Sequence, residues 1–306
     1  VMRQRVAPLL SLLSAACVAP AQGTPAPAPE EVVVNELAPA PAPTVVEEPR
    51  PEPARPIDFT FTGELTQGGW MRGDLGPGRW TAQLGDQEIA VDDEGRFFAA
   101  FDRDSPAKIE FKATSGNLVY ARETITVDPR EWDIERVNVA KGTGGGGAAW
   151  WAKREPEWLA IRDARAKETG AEGWMQEFIW PVTGRISGRF GRQRIYRGEP
   201  GSYHSGIDIA PGNGAPFVAP AGGVVVLART GFSLEGGIII LDHGAGLNSA
   251  FIHLSRLRVA EGDRVEQGQL LGNVGASGRA TGPHLHWSLM WREKRLDPLL
   301  FLPPMP

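Results

Sequence analysis

Cysteine is nearly absent from this sequence: Cys17 is the only one among 306 residues. No disulfide can close within the chain, so its folded parts must be held by their cores. Histidine is absent before position 204, which confines the commonest metal-binding and acid–base side chain to the last third. The apolar stretch Val6–Val18 is too short for an ordinary membrane-spanning helix. Basic charge is not in excess, with 32 Lys and Arg against 37 Asp and Glu and a net charge of −5. That balance argues against nucleic acid as a partner and gives no bulk attraction to an anionic polymer. HExxH is also missing, which excludes the helix-borne glutamate base of the common metalloproteases.

What is present gathers in three short motifs. His204 and Asp208 stand in HSGID, His253 in FIHLS, and His284 and His286 in GPHLHW. His284 and His286 are two apart, so on a strand they share a face, and Trp287, Ser288 and Leu289 after them suit a strand. His204 and Asp208, four apart, share a face on a strand or on a helix. Gly206 between them and the β-branched Ile207 and Ile209 favour a turn running into a strand. Two imidazoles and one carboxylate can then converge on a single ion, a usual donor set for catalytic zinc with an open position. Two histidines remain for proton transfer and charge stabilisation. Each residue alone has a plainer explanation: a strand histidine is more often packed than a ligand, and an aspartate in a turn is more often a cap. The joint spacing is what argues for a site. His243, in LDHGAGL, fits no ligand spacing and reads as structural or as part of a groove wall.

The runs HSGIDIAPGNGAPFVAPAGGVVVLA, IIILDHGAGLNSAFIHLS and VAEGDRVEQGQLLGNVGASGRATGPHLHWSL resemble, in order and spacing, the lysostaphin/LytM-type zinc peptidases, the M23-type peptidoglycan endopeptidases. The resemblance covers about residues 180–300. It implies an antiparallel β domain that takes peptidoglycan stem peptides as substrate. It implies Zn2+ held by His204, Asp208 and His286, with His253 and His284 flanking the attacking water. Zinc in such a site lowers the pKa of water and polarises the scissile carbonyl. Proton transfer and charge stabilisation then fall to His253 or His284. One departure is visible: many members carry Tyr two residues before the HL histidine, and this chain has Phe251. That change bears on substrate contacts more than on activity.

The remaining sequence divides by composition. Residues 1–21 read as a secretory signal peptide, with Arg3 and Arg5, the apolar stretch, and Ala19-Pro20-Ala21 as an A-x-A-like cleavage site. Ala15-Ala16-Cys17 also resembles the end of a lipobox, although Ser14 stands where such boxes usually want Leu; lipid anchoring at Cys17 is the alternative. Residues 22–56, rich in Pro, Ala and Glu, form an expected extended tether. From 57 to 140 short β-rich segments (DFTFTGEL, RWTAQL, EIAVD, RFFAAF, KIEFKA, LVYARETITV) alternate with turn signals, which predicts a small Ig-like β-sandwich. Trp70, Trp80, Phe97 and Phe98 are its expected core. Residues 141–178 hold a Gly-rich hinge and a helix bounded by Pro156 and Gly170, with Arg162, Asp163, Arg165, Lys167 and Glu168 on a solvated face. Partial covering of a substrate groove by this helix is a minority expectation. Residues 179–306 form the peptidase domain, so the predicted fold class is all-β: two β domains joined by a short helical segment.

Arg189, Arg192 and Arg194 are candidates for stem-peptide carboxylates, with solvated loop charge as the equal alternative. An exported protein of a Gram-negative periplasm is expected, with a membrane or divisome/elongation partner reached through the N-terminal region. Three functional readings follow. The first is a zinc endopeptidase cutting peptidoglycan cross-links. The second is a catalytically silent relative that activates cell-wall amidases. The third is a zinc peptidase acting on proteins. Such silent relatives usually lose zinc ligands, and here all five site residues are present, which favours the enzyme.

Overall fold

The computed structural model describes residues 59–141 and 146–306, all within one unit, Arg50–Pro306. The expected signal peptide, the tether and Cys17 lie outside the described residues, as do residues 142–145 of the Gly-rich hinge. No helix among the described residues is long and apolar enough to cross a membrane.

The first strands are β1 (Thr60–Glu64), β2 (Trp70–Asp74), β3 (Thr81–Leu84), β4 (Gln87–Ile89), β5 (Arg96–Ala100), β6 (Lys108–Ser115) and β7 (Leu118–Thr126). They form two antiparallel sheets, ordered β1-β2-β5 and β4-β3-β6-β7. Alternation drives them: on β3, Ala82 and Leu84 are buried while Thr81 and Gln83 are exposed. Met71, Phe97, Phe98 and Phe111 are fully buried, and the rings of Phe97 and Phe111 stack at 5.1 Å. Trp70 is buried as expected; Trp80 is half-buried, edge-on to Tyr120. β2 is not among the expected strands: its sequence WMRGD holds no β-branched residue and includes Gly73, a type depleted in strands.

The later strands are β8 (Ile134–Val137), β9 (Arg185–Gly188), β10 (Gln193–Tyr196), β11 (Glu199–Tyr203), β12 (Ile207–Ala210), β13 (Pro216–Val218), β14 (Gly223–Phe232) and β15 (Gly236–Gly244). β16 (Leu247–Ile252), β17 (Leu254–Leu257), β18 (Arg264–Val265), β19 (Leu270–Val274), β20 (Leu285–Trp291) and β21 (Lys294–Leu296) follow. The large sheet runs β18-β14-β15-β16-β20-β12-β9, with β21 paired to β20. Two smaller sheets, β13-β19-β17 and β11-β10-β8, flank it. The fold is thus mostly β with a single α-helix among the described residues, as the short β-rich segments between turn signals predict. All of these pairings are antiparallel except β8 with β10.

Register decides what the large sheet presents. Asp208 pairs with His286, His286 with Ile252, and Ile252 with Ile238. Since side chains alternate between faces, one face carries these four as a row. A second row is Ser288, Ala250 and Ile240, and a third is Arg295, Met290, Asn248 and Asp242. The opposite face carries Ile207, Ile209, Phe251, Leu285, Trp287 and Leu289, all buried in the main core. That core is continuous with the sandwich: Trp70 meets Phe301 at 5.4 Å and Phe98 meets Trp291 at 6.4 Å. The Trp70 Nε1–H donates to the Leu300 carbonyl at 2.9 Å.

The helix α1 (Ala148–Arg165) starts eight residues before the expected boundary, with Pro156 inside it. An internal proline removes a hydrogen bond and crowds the preceding turn. Here the helix is clamped on both sides of it. Arg154 makes a bidentate pair with Glu235 at 2.6 and 2.8 Å, and Glu157 accepts from the backbone and hydroxyl of Ser233. Ala160, Ile161 and Ala164 pack on Val226, Phe232, Ile238, Ile240 and Ala250. α1 therefore lies on the same sheet face as the row that contains Asp208 and His286.

Candidate metal centre and groove

The three expected ligands converge. His204 sits in the turn leading into β12, Asp208 on β12 and His286 on its neighbour β20. His204 Nε2 lies 3.0 Å from Asp208 Oδ1 and 3.0 Å from His286 Nδ1, and His286 Nδ1 lies 2.8 Å from Asp208 Oδ1. His204 Nδ1–H donates to the Arg189 carbonyl at 3.0 Å, so a carbonyl fixes the tautomer and turns the Nε2 lone pair inward. Burial works against ionising Asp208, but hydrogen bonds with His204 and His286 outweigh it and hold the carboxyl well below the usual range. At His204 burial is likewise outweighed by the Asp208 hydrogen bond, and the pKa is raised. Burial lowers that of His286.

The donor set fits zinc. Tetrahedral bonds of ~2.0–2.1 Å put donors about 3.3 Å apart, and the 2.8–3.0 Å spacings here approach that edge. With the ring protons gone from those contacts, two nitrogens and a carboxylate oxygen face one point, a set that a cation would join. Backbone closes the cradle: a Cβ at Gly188 would fall 2.3 Å from Asp208 Oδ2, and one at Gly206 2.3 Å from the Trp287 carbonyl. Neither glycine was singled out as a site contributor by spacing, because the contacts arise from strand pairing.

His253 and His284 stand beside this set, ring centroids 4.8 Å apart, with His253 6.4 Å from His286. His253 is 7% exposed and adopts φ 67°, a conformation uncommon outside glycine. Its Nδ1–H donates to the Ser277 carbonyl at 2.9 Å, and that of His284 to the Gly282 carbonyl at 2.8 Å. A carbonyl only accepts, so each contact sets a ring proton on Nδ1 and leaves Nε2 outside that bond. His284 Nε2 is 3.7 Å from Asp208 Oδ1. Burial, reinforced by the neighbouring His284 and His286, lowers the His253 pKa and keeps its ring neutral.

His243 lies apart from the cluster. It is fully buried, bonded to the Gly222 carbonyl at 2.8 Å and to Ser249 Oγ at 2.7 Å. Burial pushes its pKa down to about 4. Arg192 and Arg194 pair with Asp133 and Glu135, on and beside β8.

A groove of about 650 Å³ runs between α1 and the sheet face, from Ser205 and His286 to Arg165 and Arg295. Arg165, expected on a solvated face, turns inward and bonds Asn248. Its position four residues after Ile161, which packs on the sheet, is the signal that places it on the packed side.

Residues 202–298 match the model for peptidase family M23. The lipoprotein NlpD/LppB homolog of Pseudomonas aeruginosa is 37% identical over 131 residues, which cover 43% of this chain and 40% of that protein. The peptidoglycan DD-endopeptidase ShyA of Vibrio cholerae is 34% identical over 125 residues, 40% of this chain and 28% of that one. The chain thus spans less than half the length of these relatives. A crystal structure from Pseudomonas aeruginosa assigned to peptidase M23 superposes with a TM-score of 0.59 at 27% identity, covering 78% of this chain and 94% of that one.

Proposed function

From the premise that the chain carries a peptidase family M23 domain over residues 202–298, we propose that it is a zinc-dependent endopeptidase hydrolysing peptide cross-links of peptidoglycan. One observation carries this reading: the donor atoms of His204, Asp208 and His286 lie within 3.0 Å of one another, and two further imidazoles, each held by a backbone carbonyl, stand beside them. His204 Nε2, Asp208 Oδ1 and His286 Nδ1 would hold the metal. Zinc bound there supplies a Lewis acid that activates water and polarises the scissile carbonyl.

The chain's own groups move the proton. His253, kept neutral by burial, takes the proton of the attacking water at Nε2 as the C–O bond forms. The His253 imidazolium so formed then donates to the developing oxyanion, with the His284 ring 4.8 Å from it beside the same centre. The imidazolium returns its proton to the leaving amine as the C–N bond breaks, so no proton is gained or lost overall. The N-terminal sequence supports export, and the similarity to NlpD/LppB and ShyA supports action at a Gram-negative cell wall.

A second reading, a binding protein that regulates wall hydrolases without cutting, is favoured by one feature: α1 covers part of the sheet face beside His286. Digestion of purified sacculi by the zinc-loaded chain, with and without chelator, separates the two. The enzyme reading predicts new muropeptides, identified by mass, that vanish with chelator. An unchanged sacculus with zinc-loaded protein leaves the binding reading.

A further inference from the structure

We propose that the far end of the groove is an anion subsite, formed by Arg165 and Arg295 with Arg292, that takes a carboxylate of the peptide substrate. The inference rests on the peptidoglycan reading of the same site and adds a recognition element to it.

The subsite is built from two directions. Arg295 belongs to the third row of the sheet face, paired with Met290, which in turn pairs with Asn248. Arg165 descends from the last turn of α1 and donates from Nη1 to Asn248 Oδ1. Arg292 lines the same end of the groove. The other cations are already engaged: Arg154 holds Glu235 and Glu157, and Arg162 pairs with Asp163. None of Arg165, Arg292 and Arg295 has an ion-pair partner among the described residues. The Arg295 guanidinium lies 6.0 Å over the Tyr203 ring, and only its backbone N–H is taken, by Asp102.

Donors are also left over. Arg292 Nε and Asn248 Nδ2 are buried with no hydrogen-bond partner. Buried donors normally find an acceptor, and a carboxylate offers two oxygens that accept and never donate. Burial, and then the charge of Arg295, push Arg165 down to about 10, so the two guanidiniums repel each other until an anion joins them. A planar guanidinium pair suits a carboxylate better than a point charge would.

Distance fixes which carboxylate. Met290 is four residues along β20 from His286, which is about 13 Å of strand. A peptide whose scissile bond lies at the metal row therefore places a carboxylate three or four residues away, or one borne on a side chain, between Arg165 and Arg295. Cleavage would then favour strands whose carboxylates are free over those that are amidated.

The test reads binding without turnover. The zinc-loaded full chain is titrated calorimetrically with an uncross-linked peptidoglycan tetrapeptide, once with free carboxylates and once with every carboxylate converted to carboxamide. The free form should bind about tenfold tighter, the scale of one charge-assisted pair. Arg295→Gln, at an exposed position on the edge strand, should abolish that preference, as should Arg165→Gln, while Arg165→Lys restores part of it. Equal affinity of the two peptides for the wild-type chain, no binding of either, or a preference that survives Arg295→Gln overturns the proposal. A chain that prefers the free carboxylates yet leaves sacculi intact would keep this subsite and remove the endopeptidase reading.

Discussion

At His253 a single carbonyl decides the chemistry. Because the Ser277 carbonyl accepts from Nδ1–H, Nε2 is the nitrogen left to act as base, and burial lowers the pKa of the ring. His253→Ala should cut turnover by about 10²-fold or more, the scale of a lost general base, while zinc content measured by atomic absorption stays unchanged. Gly188→Ala should do the reverse. Its Cβ would lie 2.3 Å from Asp208 Oδ2, so zinc affinity should fall first and activity should return at high zinc. His243 gives a pH prediction. Its folded pKa, about 4, lies below the ordinary 6.5, so the folded state favours the neutral ring and the unfolded chain binds the proton more readily. Its contribution is complete above pH 6.5 and is lost as pH falls toward 4, by up to roughly 3 kcal/mol. Thermal melts of chelated protein should therefore show a shallower acid loss in His243→Gln than in wild type. The metal donors were legible in sequence because period-2 and period-4 spacings survive in any strand. Gly188 and Arg165 were not: their roles depend on which strand or helix packs opposite.

Among the elements, the strands fall on the short β-rich segments between turn signals, whether alternating as in β3 or buried throughout as in β15. The segments NSAFIHL and HLHWSLM became β16 and β20, neighbours in register, and HSGID became a turn and β12 beside them. β2 carries little local signal, since WMRGD has no β-branched residue and includes a glycine. The helix begins eight residues before its expected start because a proline marks a boundary in sequence while Pro156 here lies inside α1. The clamp that tolerates Pro156, Arg154 on Glu235 and Glu157 on Ser233, joins positions about eighty residues apart and has no local signature. Breaking a largely buried pair on one side leaves a charge unmatched and costs about 3–5 kcal/mol. Glu235→Gln should therefore loosen α1 selectively. Hydrogen exchange should rise at least tenfold across Ala148–Arg165 and stay unchanged in β16; uniform exchange across both elements would contradict the clamp.

Over the whole molecule, the sandwich and the large-sheet region share one core through Trp70, Phe98, Trp291 and Phe301. Composition separated these regions because turn signals and the Gly-rich stretch mark breaks in the chain, and composition is blind to contacts made across such breaks. Trp70→Ala removes a buried ring and should destabilise the chain by about 3–5 kcal/mol. Calorimetry should show one transition moving to lower temperature; two separated transitions would mean that the regions unfold independently. The metal centre depends on the same large sheet, so zinc should raise that single transition. The central claim is that this sheet holds zinc beside two further imidazoles for peptide hydrolysis. Muropeptide release from sacculi by wild-type and His253→Ala chains, each with its zinc content measured in the same sample, tests it most directly. Equal zinc with new muropeptides from the wild type alone is the predicted result. Release by His253→Ala at the wild-type rate, or none by the zinc-loaded wild type, would contradict it.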